Sequence, residues 1–172
     1  MAMRTRTVGH TKADYDALPE GAPYQLVEGE LVREASPVYR HQRAVGRLIA
    51  MLHTLIGVER TLHAPIDVVV DDRNVYQPDV AVVAAPLSPD AESVGIPVWV
   101  CEVLSPSTSR IDRVQKTRNY LRAGVQEVWL LDPATATLTV VTSSGSRTHA
   151  PDDLVRSAAV PGLAATPRAL LS

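Results

Sequence analysis

The chain has 172 residues, 45% of them hydrophobic, which is the size of one compact domain with enough apolar material for a sizeable core. A net charge of −2 with 21% charged residues excludes both an acidic tail and a basic nucleic-acid arm, so any polyanion contact must come from a local basic surface. The one cysteine, Cys101, allows no intramolecular disulfide and no multi-cysteine metal site, and no apolar stretch reaches the ~20 residues of a membrane helix.

Residues 1–7 lack the apolar segment of a secretory signal, so a cytoplasmic location is expected. Thr11 and, three residues later, Asp14 form a capping-box pattern, and Pro19 bars further helix, which together predict a short helix over 12–18. Runs at 24–27 and 30–33 flank Glu28-Gly29, whose glycine can take the positive φ of a tight turn; a β-hairpin is expected. Ser36 before Pro37 reads as the N-cap and first turn of a longer helix. Val38, Val45, Leu48, Ile49, Leu52, Leu55 and Ile56 then recur near helical spacing as far as Gly57.

Downstream, 66–70, 79–83 and 98–103 are short, valine-rich and bounded by Pro, Asp or Asn, which predicts strands covered on both faces. A second helix is predicted over 112–123, closed by Gly124. Then 125–131 returns to a buried strand, Asp132-Pro133 turns, and 138–142 fits an edge strand ending at Ser143-Ser144-Gly145. Trp99 and Trp129 fall in predicted central strands and read as core. The tail, with Pro151, Pro161 and Gly162, reads as irregular up to a short helix over 167–171. No repeat or linker divides the chain, so one domain over 1–172 is expected.

Three residues carry chemistry. Asp79 opens a valine-rich strand directly after Pro78, and Glu102 lies 23 residues later inside Val-Trp-Val-Cys-Glu-Val-Leu, where a bare carboxylate is costly. On neighbouring strands the two acids would converge and favour a cation between them, and oxygen ligands of this kind suit Mg²⁺ or Mn²⁺. Lys116, one of only two lysines, falls on the helix after Glu102, where 100° per residue puts Asp112, Lys116 and Asn119 on one polar face and Val114 and Leu121 opposite. That helix can aim an ammonium back at the sheet. Plainer alternatives stand beside each: a solvated strand end for Asp79, an ion pair of Glu102 with Arg110 or Arg113, and a surface Asp112–Lys116 pair worth ~0.2–0.5 kcal/mol.

Together, Gln77-Pro78-Asp79-Val80, Glu102-Val103-Leu104-Ser105-Pro106-Ser107-Thr108, Asp112, Lys116, Tyr120, Gly124-Val125 and Glu127-Val128-Trp129-Leu130-Leu131-Asp132-Pro133 resemble the Uma-type family of restriction-endonuclease-like proteins, in the PD-(D/E)XK nuclease superfamily. The Glu28-Gly29-Glu30 hairpin and Ser36-Pro37 followed by His41 match that family too, so the likeness spans about 24–163. It implies an α/β (α+β) fold: a restriction-endonuclease-like mixed central β-sheet flanked by helices, with an N-terminal β-hairpin. In the superfamily the catalytic lysine stands two residues after the acid, where this chain has Leu104. The resemblance implies that Lys116 takes that role, and that Glu30 and His41 line the site.

The expected activity is a Mg²⁺-dependent (or Mn²⁺-dependent) endonuclease acting on nucleic acid, with DNA as the leading substrate. Asp79, Glu102 and the carbonyl of Val103 would be its metal ligands and Lys116 its catalytic lysine. A homodimer is the natural device for cutting two strands. A catalytically inactive nuclease-fold module that binds nucleic acid or protein, and a metal-dependent hydrolase of a smaller phosphoester, are the alternatives. No membrane contact is expected.

Overall fold

The computed structural model describes residues 9–34, 36–105 and 110–172, with 110–112 described by their backbone. The N-terminal stretch 1–7, the Pro106-Ser107-Thr108 part of the motif, and the side chains of Arg110 and Asp112 lie outside the described residues. In chain order the elements are α1 (Lys12–Asp16), β1 (Tyr24–Val27), β2 (Glu30–Arg33), α2 (Tyr39–Ile56), β3 (Thr61–His63), β4 (Asp67–Asp71), β5 (Asn74–Tyr76), β6 (Val80–Val82), β7 (Ser93–Val94) and β8 (Trp99–Val103). They continue as α3 (Arg110–Ala123), β9 (Glu127–Asp132), β10 (Thr137–Thr142), β11 (Gly145–His149), β12 (Val155–Arg156), β13 (Ala164–Ala165) and α4 (Pro167–Leu171).

Thr11 and Asp14 form the capping box that starts α1, each side chain bonding the other's backbone N–H, although the helix closes at Asp16 rather than at 18. Glu28 and Gly29 turn between β1 and β2 with φ of 50° and 79°. Two positive φ values in a two-residue loop match the twist of the flanking strands. A side chain at Gly29 would also meet the Arg73 guanidinium.

The hairpin joins a five-stranded sheet, order β2-β1-β5-β4-β7, and the six-stranded sheet has the order β11-β10-β9-β8-β6-β3. The latter is mixed: β8 and β9 are parallel, and the other neighbours antiparallel. Alternate side chains of the six-stranded sheet feed two cores, as a strand's period of two requires. Val80, Trp99, Cys101 and Trp129 pack with Leu48 and Leu52 of α2 and Leu170 of α4. Ala81, Val100 and Val128 pack with Val27, Val68, Tyr76 and Tyr120 from the other sheet and α3. Trp99 and Trp129 are fully buried and meet edge to face with centroids 5.3 Å apart.

Three expectations change. The long helix begins at Tyr39 after Val38, with no side-chain cap, so Ser36 and Pro37 precede it. The 137–142 strand is internal, because the polar segment Gly145–His149 pairs outside it. Residues 151–166 hold a small hairpin, Val155 against Ala165, rather than an irregular tail.

Candidate active site

Pro78 has no N–H to give a ladder, so the regular pairing of β6 starts after it and Asp79 is left at the strand's mouth. Gln77 fixes the approach: its backbone N–H donates to Gln25 Oε1 at 3.1 Å and its side chain to Asp67 Oδ1 at 2.9 Å, tying this corner to the five-stranded sheet. Val80 pairs with Cys101, so Asp79 stands opposite Glu102 one step along. The Val103 N–H donates to Asp79 Oδ2 at 2.7 Å, and His41 Nε2 lies 3.1 Å from the same oxygen.

Glu102 meets α3. Lys116 Nζ is 2.9 Å from Glu102 Oε1, and the Tyr120 hydroxyl donates to that oxygen at 3.3 Å. The ammonium also lies 5.5 Å from the centre of the Tyr76 ring. The three side chains singled out in the sequence therefore converge, and among the described residues Lys116 rather than Arg113 is the cation on Glu102, the side chain of Arg110 lying outside them. His41 joins them through Asp79. Glu30 does not: it is exposed at the turn end of β2.

The acid that the hairpin does contribute is Glu34, which lines the same cleft of about 570 Å³. Val32 and Glu34 share a strand face with Glu30, but four residues at ~3.3 Å each carry Glu30 roughly 13 Å away from Glu34. Tyr120 is the second residue whose role emerges only here.

Burial, above all, pushes the Glu102 carboxyl up from its ordinary 4.5; Lys116 opposes this and the Asp79 charge adds to it. For Lys116, burial is the largest influence and pulls downward. The Glu102 charge and hydrogen bond, with Asp79 and Glu34 behind them, outweigh it and leave the ammonium held more firmly than usual. Glu34 is raised by burial first, with Lys116 opposing and Glu102, Asp79 and Asp67 adding. His41 is raised chiefly by its bond to Asp79, against burial, and the Val103 carbonyl makes a smaller contribution in the same direction.

Among the described residues no three His, Cys, Asp or Glu side chains are grouped to hold a metal alone. The donor set instead fits an ion that keeps much of its water. Asp79 uses only Oδ2, and Glu102 only Oε1, in its hydrogen bonds among the described residues, so each has a second oxygen to offer. With the nearby Val103 carbonyl this is hard-oxygen chemistry of the kind that suits Mg²⁺ or Mn²⁺.

A family model described as "Uma2: Putative restriction endonuclease" matches residues 13–168. Among solved structures, one titled as a putative nuclease belonging to DUF820 from Anabaena variabilis ATCC 29413 matches with a TM-score of 0.82 at 22% identity, covering 94% of this chain and 97% of that one. At that identity the likeness speaks for the fold. No curated protein matches the chain. Among the described residues no helix is long and apolar enough to cross a membrane.

Proposed function

The chain belongs to the Uma2 family, and from that membership and the geometry of its cleft we propose that it is a Mg²⁺-dependent endonuclease hydrolysing DNA phosphodiester bonds. The observation that carries this reading is the meeting of Asp79, at the mouth of β6, Glu102 of β8 and Lys116 of α3 in one cleft beside Glu34 and His41.

Asp79 and Glu102, with the Val103 carbonyl, would hold the divalent ion. When bound, that ion supplies an activated water and offsets charge on the leaving oxygen. Lys116 brings the ammonium that orients the attacking water and neutralises charge on the pentacovalent phosphorus. The site keeps the superfamily's lysine chemistry although the lysine comes from a helix, because reactivity follows the position of the group rather than its address in the chain. His41 and the Val103 N–H both hold Asp79 Oδ2, which fixes the carboxylate's orientation.

Lys116→Ala is expected to lower cleavage of a DNA substrate by at least about a hundredfold in a metal-supplemented assay, with the far-ultraviolet dichroism of the fold retained. Unchanged turnover would remove Lys116 from catalysis. Mn²⁺ titrated into wild type, Asp79→Asn and Glu102→Gln should show weakened affinity in both variants; equal affinity in all three would remove the carboxylates from the metal site.

A further inference from the structure

We propose that the groove between α3 and strands β9, β10 and β11 is the track of an unpaired nucleic-acid strand leaving the cleft, with Arg113 and Arg122 binding its phosphates. The inference rests on the nuclease reading and specifies the form of substrate that this site takes.

The distribution of charge provides the first argument. Eight of the chain's 17 basic residues but one of its 19 acids stand on α2 and α3, which leaves nine basic against eighteen acidic residues for the remainder. A polyanion is repelled by most of this molecule and attracted by these two helices. Each contributes to the cleft, α2 through His41 and α3 through Lys116. Screening over roughly 8–10 Å confines the attraction to their neighbourhood.

Continuity is the second argument. A groove of about 820 Å³ runs on from the cleft, and Leu104, Arg113, Thr117 and Leu130 line both. A strand whose scissile phosphate lay at Lys116 would pass directly into it.

The groove's chemistry is the third. Val114, Leu121, Leu130 and Val141 line it together with Arg113, Arg118 and Arg122. Val114 is 57% exposed and presents apolar surface at the groove. The Thr139, Thr142 and Ser146 hydroxyls add hydrogen-bonding groups from the sheet side, and Asp132 is the one acid among the lining residues. Arg118 is paired with Glu28, whereas Arg113 and Arg122 have no ion-pair partner among the described residues. Apolar surface beside unpaired guanidinium groups matches a chain that presents flat base faces and phosphates together. A duplex keeps its base faces stacked inside and could use the guanidinium rim alone; an unpaired strand uses both.

The test is fluorescence anisotropy of the full chain with a labelled single-stranded oligonucleotide and with its blunt duplex, in EDTA so that no turnover intervenes. Wild type should prefer the single strand. Arg113→Ala/Arg122→Ala should weaken that binding by roughly tenfold or more and lower the salt-dependence slope by about 1.4, at ~0.7 per phosphate contact of a single strand. Arg168→Ala, on α4, should leave both unchanged. Wild-type affinity in the double variant, a preference for duplex, or equally tight binding of poly-glutamate would overturn the proposal.

Hydrolysis of bis(p-nitrophenyl) phosphate in Mg²⁺, measured alongside, separates this proposal from the reading beneath it. Turnover of that small diester without strand binding rejects the groove and keeps the nuclease. Strand binding that needs both arginines, without turnover, keeps the groove and rejects the nuclease.

Discussion

Glu34 shows what lining the cleft costs at the level of one side chain. Its folded pKa lies above the ordinary 4.5, mainly because burial disfavours the charge. A carboxyl raised in this way imposes no cost while it is protonated in both states. The cost grows as pH rises through 4.5 and is complete above the raised folded value. Glu34→Gln should therefore raise Tm at pH 7, by about 2–4 °C per kcal/mol relieved in a chain of this size, and the gain should vanish near pH 4. If Glu34 faces the bound ion, the same variant should bind Mn²⁺ more weakly, and calorimetry against thermal melts would separate the two effects. Asp79, Glu102 and Lys116 were legible in the sequence because proline, a valine run and a scarce lysine mark them. Glu34 was not, since nothing local tells the far end of a short strand from its near end. The His41–Asp79 contact spans 38 positions and belongs to tertiary structure alone.

At the scale of elements, α3 reverses the usual rule for a surface helix. Its polar residues face inward: Asn119 is 8% exposed and its side-chain amide donates to Tyr76 Oη at 2.9 Å and Asn74 Oδ1 at 3.2 Å, while Val114 faces out. The sequence placed the helix by its closing Gly124 and allowed its polar face to aim Lys116 at the sheet; that Asn119 on the same face is buried among Tyr76 and Asn74 emerges only from the tertiary structure. Asn119→Ala should cost about 1–3 kcal/mol by orphaning these buried partners, read from urea midpoints, whereas Val114→Lys should stay within about 0.5 kcal/mol. The valine-rich runs that hold β4, β6 and β8 and the capping box of α1 were readable from local pattern alone. The strands β3, β5 and β7 are two or three residues long, too short for such a pattern. The β11 segment Gly-Ser-Arg-Thr-His carries no apolar alternation at all and is strand because β10 offers it a ladder. A short polar strand of this kind blunts the sheet's open edge.

For the molecule as a whole, the C-terminal segment is structural. Glu127, 2% exposed, accepts the Trp129 indole N–H through one carboxylate oxygen and the Ala158 N–H at 2.8 Å through the other, pinning the segment to β9. Leu163 and Leu170 then complete the core beneath α2. Leu170→Ala should cost about 2–5 kcal/mol and lower the denaturation midpoint without altering the cleft's residues. The central parallel pair is also non-local: β8 acquires its partner β9 only once α3 has crossed between them. Its acid, Glu102, stands at the start of that crossing and its ammonium, Lys116, midway along it. During ribosomal synthesis the acids emerge well before the strand that buries them, and the face packing α2 against the sheet waits for Leu163 and Leu170. The cleft's geometry is thus set only when β9 and the C-terminal segment have docked, so its assembly depends on residues far beyond those that line it.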